Sequence, residues 1–130
     1  MKVLFVCLGN ICRSPTAEGV FRRALEQAGM TAEVDVDSCG VGSWHKSPDS
    51  RAQQAALRRG VDLSRLRARQ LSEQDFMDFD YVLGMDHDNV RAMRDLKPAN
   101  SHAHVGLLLA FAGTPGAEVP DPYYGGEEGF

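Results

Sequence analysis

The sequence predicts a single α/β domain in three layers, with a four-stranded parallel sheet between helices on both faces. A length of 130 residues suits one domain. Short, nearly all-apolar segments typical of buried parallel strands alternate with longer segments that have helical periodicity. This alternation implies right-handed crossovers, and ligands of such sheets bind beyond the carboxyl ends of the strands.

The first strand is predicted at residues 2–6, which are nearly all apolar. A helix follows, with Ser14 as its N-cap and Pro15 at its first position. Apolar side chains recur at helical spacing through residues 17–28, and Gly29 is a suitable stop. The loop between this strand and this helix therefore spans only a few residues.

Valines alternate with acidic residues over positions 33–38, which predicts a strand at the edge of the sheet. Residues 39–44 are rich in glycine and are predicted to form a loop. A second helix is predicted from Ser50 to Arg59, closed by Gly60. Its apolar side chains are mostly alanine, so we expect it to pack closely against a neighbour.

The second half of the chain repeats the pattern. Ser72 and the acid three residues later are spaced like a capping box before a short helix. Residues 80–85 are predicted as the third strand, and Asp86 as the cap of a helix that runs to about residue 96. The last apolar run, residues 104–111, is predicted as the fourth strand.

The composition is that of an ordinary globular domain, 43% hydrophobic and 25% charged. The net charge of −4 argues against nucleic acid as a partner, so any attraction to an anionic substrate must be local. No membrane span or signal peptide is evident, which predicts a cytoplasmic protein without a membrane partner. Three cysteines do not suggest a disulfide framework, and the four histidines lack metal-ligand spacing, so no metal is expected.

The chemistry is concentrated in the segment Cys7-Leu8-Gly9-Asn10-Ile11-Cys12-Arg13-Ser14. Backbone N–H groups of such a loop can converge on an anion, and the N-terminus of the following helix adds partial positive charge. Arg13 can meet two phosphate oxygens at once. The same field favours the thiolate of Cys7, so one loop combines a phosphate site with a nucleophile. The residues predicted to contact phosphate are Leu8, Gly9, Asn10, Ile11, Cys12, Arg13 and Ser14.

Asp121 lies between two prolines and is followed by Tyr123 and Tyr124. Taken alone this is good turn chemistry, but beside a cysteine loop it suggests a general acid held in a stiff loop. Tyr123, Tyr124 and Trp44 are either packing aromatics or, as we expect from their place in loops, the walls of a cleft for an aromatic ring. Such a cleft would favour phosphotyrosine over the shorter phosphoserine.

Five features of the sequence carry a resemblance: the cysteine loop, Trp44, residues 67–70, residues 80–86 and the Asp-Pro-Tyr-Tyr segment. They occur in the order found in the low-molecular-weight protein tyrosine phosphatases. The chain resembles that family over nearly its whole length, residues 1–130. The resemblance implies hydrolysis of phosphotyrosine and small aryl phosphates through a cysteinyl-phosphate intermediate, with no cofactor. It also implies phosphate, sulfate or vanadate as site ligands, and a monomer or weak homodimer.

The resemblance assigns roles within the site. Cys7 is the nucleophile, Arg13 the phosphate ligand and Asp121 the general acid, while the Ser14 hydroxyl hydrogen-bonds the thiolate. Cys12 is a resolving thiol that traps oxidised Cys7 as a reversible disulfide. Cys39 is taken as structural.

Two features depart from the family pattern. Leu66 stands where many relatives have a histidine that supports the loop asparagine, which leaves that hydrogen bond to Asn10 open. The family pattern also continues with a further helix, whereas this sequence ends at Phe130, so we expect apolar surface to be exposed.

Three other functions fit parts of the pattern. An arsenate reductase on the same scaffold needs two further cysteines in later loops, and none follows Cys39. Phosphoarginine phosphatases tend to have a small polar residue where Ile11 stands, and Ile11 better suits an aromatic ring. The last alternative is a phosphate-binding module without turnover.

Overall fold

The computed structural model describes residues 1–42, 47–111, 113, 118 and 119. Four strands and five helices alternate along this part of the chain. The strands are β1 (Lys2–Cys7), β2 (Asp35–Gly40), β3 (Tyr81–Gly84) and β4 (His104–Leu107). The helices are α1 (Arg13–Ala28), α2 (Ser50–Arg58), α3 (Asp75–Asp78), α4 (His87–Leu96) and α5 (Leu108–Phe111).

The predicted sheet is confirmed: four parallel strands lie in the order β2-β1-β3-β4. The chain leaves β1 toward β2 on one side and leaves β3 toward β4 on the other. Loops that diverge in this way open a crevice at the carboxyl ends of β1 and β3, which is where ligands of open α/β sheets bind. The segment after Cys7 and the segment after Gly84 both begin at this crevice.

The two faces of β1 carry two hydrophobic cores, as a strand covered on both sides requires. Alternate residues Val3, Phe5 and Cys7 pack in one cluster with Leu25 of α1. Leu4 and Val6 pack in the other cluster with Phe76 of α3 and Met93 of α4. Helices therefore cover both faces, and the Cys7 side chain lies on the α1 face.

The start of α1 differs from the prediction. The helix begins at Arg13, its N-cap is Cys12, and Ser14 and Pro15 are its second and third residues. Ser14 cannot cap the helix because its hydroxyl is engaged by Cys7 and Asn10. The helix end falls at Gly29, as predicted, with a left-handed φ of 69°.

Two strands also have bounds that differ from the prediction. Cys39 and Gly40 are the last residues of β2 rather than a loop, because the register with β1 continues to the Cys7–Gly40 pair. β2 is an edge strand, as predicted, but lies two residues later than residues 33–38. The run 104–111 forms a strand only to Leu107, where its pairing with β3 ends, and then turns into α5.

Helices α2 and α4 agree closely with the prediction, whereas α3 begins at Asp75 with Gln74 as its N-cap, so Ser72 does not cap it. Asp86 caps α4 through the backbone N–H of Asn89, whose side chain completes a capping box. The alanines Ala52 and Ala56 of α2 are buried. Between α1, α2 and α5 lies an apolar groove of about 300 Å³ beside the half-exposed Val20. No helix in the described part of the chain has both the length and the apolar character to cross a membrane.

Candidate active site

The loop between β1 and α1 presents its N–H groups to its own interior. Its carbonyl oxygens accept hydrogen bonds from groups outside the loop. Because a trans peptide places C=O and N–H on opposite sides, the N–H groups face inward. The outside donors to the carbonyls of Cys7, Leu8, Ile11 and Cys12 are the backbone N–H groups of Val41, Gly42, Asp49 and Thr16, respectively. This arrangement forms a concavity at the positive end of α1, a geometry typical of anion sites.

Cys7 lies at the bottom of this loop with two polar neighbours. Its Sγ is 2.9 Å from the Ser14 hydroxyl oxygen and accepts a 3.3 Å hydrogen bond from the Asn10 backbone N–H. The residue is 3% exposed, so its sulfur is shielded from bulk solvent. Both groups can donate to a thiolate, which stabilises the charged form of the sulfur.

Asn10 connects the loop to the rest of the site. Its φ of 57° is left-handed, a conformation that asparagine tolerates better than most side chains. Its Nδ2 donates to the hydroxyls of Ser14 and Ser38 at 2.8 and 2.9 Å, and its Oδ1 accepts from the Arg69 backbone N–H at 2.9 Å. These three bonds support Asn10 without a histidine at position 66, where Leu66 packs against the apolar cluster beneath α2.

Two buried residues beneath Asn10 were missed in the sequence. Ser38 on β2 donates to the carboxylate of Glu18 on α1 at 2.7 Å, and each residue is 3% exposed. Arg22, one turn further along α1, forms an ion pair with the other carboxylate oxygen at 2.8 Å. Burial raises the pKa of Glu18, against the opposing effects of the Ser38 hydrogen bond and the Arg22 charge. A glutamate on an otherwise apolar helix face was the only signal available.

Arg13 is held at the mouth of the loop by the segment after β3. Its Nη1 donates to Asp86 Oδ2 at 2.7 Å and to the Val119 carbonyl at 2.8 Å. The arginine side chain is 4% exposed, whereas that of Asp86 is 22% exposed. Asp86 therefore has a second role beside capping α4: it orients the predicted phosphate ligand. Its position just beyond the end of β3 was the available signal.

Backbone hydrogen bonds between residues 69–71 and Gly40 support the loop on its β2 side. The Gly40 N–H donates to the Arg69 carbonyl, and the Gly40 carbonyl accepts from Leu71. The Arg69 guanidinium pairs with both Asp37 and Asp75, at 2.9 and 3.0 Å. Burial alone would lower the pKa of Arg69, but these carboxylates reverse the effect and raise it. The arginine thus stays charged and fixes the segment whose N–H holds Asn10.

The remaining loop residues differ in what they can offer a substrate. Leu8 is 41% exposed, whereas Ile11 and Cys12 are 8% and 4% exposed. Leu8 rather than Ile11 is therefore the apolar side chain of the loop that an aromatic ring could reach. The three cysteines, Cys7, Cys12 and Cys39, all lie in the described part of the chain, and none of them forms a disulfide. Cys39 is fully buried, and burial raises the pKa of its thiol.

The other predicted site residues, Trp44, Asp121, Tyr123 and Tyr124, lie outside the described residues. Val119, two residues before Asp121, is tied to the site by its carbonyl contact with Arg13 and by its N–H, which donates to the Met85 carbonyl at 2.7 Å. Over the residues that the structure describes, no cluster of three or more His, Cys, Asp or Glu side chains could hold a metal ion.

Comparison with known proteins gives a consistent result. The family model described as "Low molecular weight phosphotyrosine protein phosphatase" matches residues 2–130. A protein of that name from Schizosaccharomyces pombe is 49% identical, over all of this chain and 85% of its own length. The crystal structure of YfkJ from Bacillus subtilis has a TM-score of 0.90 at 41% identity, over 99% of this chain and 84% of that one. The structure of a Drosophila arginine phosphatase has a TM-score of 0.91 at 34% identity, over 100% and 86% of the two chains. With a family match across the whole domain and a loop built around Cys7 and Arg13, the chain belongs to the low-molecular-weight phosphotyrosine protein phosphatase family.

Proposed function

We propose that this protein hydrolyses phosphotyrosine and small aryl phosphate monoesters through a phosphocysteine at Cys7. The observation that carries the proposal is the setting of the sulfur: it lies inside a concavity of N–H groups and within reach of the Ser14 hydroxyl. Such a site binds the phosphoryl group and activates the nucleophile with the same charges. Membership of the family and the names of its relatives support this activity.

In the first step the Cys7 thiolate attacks phosphorus in line with the ester oxygen. The S–P bond forms while the P–O bond to the leaving group breaks, and the Asp121 carboxyl gives its proton to the departing oxygen. Arg13 and the loop N–H groups bind the equatorial oxygens, whose charge they stabilise in the transition state. Asp86 keeps the guanidinium of Arg13 in position for this role.

In the second step water hydrolyses the phosphocysteine. The Asp121 carboxylate takes a proton from water as the oxygen bonds to phosphorus, and the S–P bond breaks. The leaving group is now the Cys7 thiolate, which the Ser14 hydroxyl stabilises by its hydrogen bond. The loop supplies the positive charge for both steps, so we expect turnover in the presence of a chelator.

The substrate preference would come from the rim of the loop. Leu8 offers an exposed apolar side chain there. Trp44, Tyr123 and Tyr124 are expected to complete the walls of a cleft for an aryl ring. A phosphotyrosine side chain reaches the bottom of such a cleft, whereas a phosphoserine is too short.

We place this activity in the cytoplasm.

The test is release of phosphate from a phosphotyrosine peptide in the presence of chelator, by the parent chain, Cys7→Ser and Asp121→Asn. We expect turnover by the parent, none by Cys7→Ser, and roughly a hundred-fold slower turnover by Asp121→Asn, the loss typical of a missing general acid. A folded parent that binds phosphate without turnover would instead be a binding module.

The similarity to an arginine phosphatase structure calls for a second substrate in the same assay. Leu8, the exposed apolar side chain of the loop, favours the aryl ester, so kcat/KM is expected to be higher for phosphotyrosine than for phosphoarginine in the same peptide. The opposite order would assign the protein to the arginine phosphatases of this fold.

A further inference from the structure

A buried carboxylate lies at the far end of a row of hydrogen bonds that leads to Cys7. We propose that ionised Glu18 is a positioning residue for the nucleophile: it accepts the Ser38 proton and thereby keeps the row Ser38–Asn10–Ser14 pointing toward the Cys7 thiolate. This inference rests on the proposed role of Cys7. It assigns a function to a residue that touches neither the sulfur nor the phosphate loop.

The first link is set by what Arg22 and Ser38 can donate. The Arg22 guanidinium has only hydrogen-bond donors, so the atom of the Glu18 side chain that faces it must be an oxygen that accepts a hydrogen bond. The Ser38 hydroxyl lies 2.7 Å from the other oxygen and also lies 2.9 Å from the Asn10 amide nitrogen. Because Asn10 donates to Ser38, the Ser38 proton has to go to Glu18. A carboxylate is the group that accepts on both sides at once.

The second link runs through Asn10 to the sulfur. The Arg69 N–H holds the Asn10 oxygen, so both protons of the Asn10 amide point the other way, one to Ser38 and one to Ser14. Ser14 therefore accepts from Asn10, and its own proton is left for Cys7 at 2.9 Å or for the Cys39 carbonyl at 3.3 Å. A thiolate attracts this proton more strongly than a neutral carbonyl oxygen.

A neutral side chain at position 18 would disturb the row. In a glutamine the oxygen would satisfy Arg22 and the NH₂ group would face Ser38. Two N–H groups, one from Asn10 and one from the glutamine, would then point at the Ser38 hydroxyl oxygen, which leaves the Ser38 proton without its acceptor. Ser38 or Asn10 would have to move, and the donor to Cys7 would move with it. The other charged groups that act on Glu18 are Arg22 on α1 and Asp37 on β2.

Loss of the negative charge of Glu18 and loss of the oriented donor would change the stability of the Cys7 thiolate in opposite directions, which makes the proposal testable. Removal of a nearby negative charge favours the Cys7 thiolate, whereas loss of an oriented donor disfavours it. The measurement is the rate of alkylation of Cys7 by iodoacetamide against pH, with Cys7 distinguished from Cys12 by fragmentation of the peptide. For Glu18→Gln we expect the midpoint pH to rise by about 0.5 unit, several-fold less thiolate at fixed pH. An unchanged or lower midpoint would overturn the proposal.

Two further variants complete the experiment. Glu26→Gln removes one charge from an exposed position of the same helix and is expected to leave the midpoint unchanged. Ser38→Ala keeps the Glu18–Arg22 pair and is expected to raise the midpoint, with no further rise in the Glu18→Gln, Ser38→Ala double variant. Additive shifts would show that Glu18 does not act through Ser38.

If Glu18→Gln does not fold, an unchanged midpoint in Ser38→Ala overturns the proposal. Alkylation does not require turnover, so an inactive parent would refute the phosphatase activity and leave this comparison readable.

Discussion

Single side chains in this site meet two demands at once, and Asn10 is the clearest case. Its left-handed backbone turns the loop, at a cost of roughly 1–2 kcal/mol for a residue with a Cβ atom. Its side chain forms three hydrogen bonds, two of them buried and one partly buried, each contributing about 1 kcal/mol, which offset that cost. The strained conformation therefore persists because the surroundings fix the side chain.

Cys12 carries the prediction at this scale. Peroxide converts the Cys7 thiolate to a sulfenic acid, and attack by the Cys12 thiol would form a disulfide and release water. We expect peroxide to inactivate the parent chain in a way that dithiothreitol reverses. Cys12→Ser is expected to recover less activity after the same exposure, because its sulfenic acid proceeds to irreversible oxidation.

The control for this experiment is Cys39→Ser, since Cys39 is fully buried outside the loop. It is expected to recover like the parent chain. If Cys12→Ser recovers as completely as the parent, Cys12 does not protect the nucleophile.

At the scale of elements, the end of β2 supports the loop by close backbone contact. A Cβ atom at Gly40 would lie 2.7 Å from the Leu8 carbonyl oxygen and 2.9 Å from the Asn10 backbone nitrogen. Both contacts are with backbone atoms, which cannot move aside without displacing the loop. β2 thus shapes the anion site although it contributes no ligand to it.

Gly40→Ala should therefore weaken phosphate binding while the sheet stays folded. We expect at least a ten-fold higher Kd for inorganic phosphate by calorimetry, equivalent to about 1.4 kcal/mol. Gly106→Ala is the matched control, because a Cβ atom there would meet its nearest neighbour, His104 Nε2, only at 3.9 Å. Equal affinities in the two variants would show that the close approach at Gly40 is not needed.

The elements also show where sequence reasoning succeeds. Apolar periodicity located all four strands and the long helices, because burial on one or both faces leaves a local pattern. The end of β2 and the end of β4 were misplaced because pairing with the neighbouring strand decides them. The sequence predicts a helix cap at Ser14 because its neighbours favour that role, whereas its partners in the structure include Cys7, seven residues earlier.

Long-range partners explain what was missed within the site. The hydrogen bonds of Ser38 with Glu18 and Asn10, and of Asp86 with Arg13, join residues 20 to 73 positions apart in the sequence, a separation that spacing rules do not cover. Cys7 and Arg13 were found because loop chemistry and helix start are encoded within a few residues.

For the whole molecule, the strand order is what assembles the site. Because β1 and β3 are neighbours whose chains leave in opposite directions, the cysteine loop and Asp86 meet at one crevice. The net charge of −4 gives no general attraction for a phosphorylated partner, so the positive end of α1 and Arg13 must supply it locally. The proposed binding and chemistry therefore both lie at one edge of the sheet.

The central claim is that Cys7 carries the phosphoryl group, and direct detection of that species tests it. Asp121→Asn would be mixed rapidly with p-nitrophenyl phosphate, whose leaving group scarcely needs a general acid, and quenched in acid for mass spectrometry. Because hydrolysis of the intermediate lacks its base in this variant, we expect a burst of about one p-nitrophenol per chain and phosphate on Cys7. Turnover with no phosphate on Cys7, or with phosphate on another residue, would contradict the account.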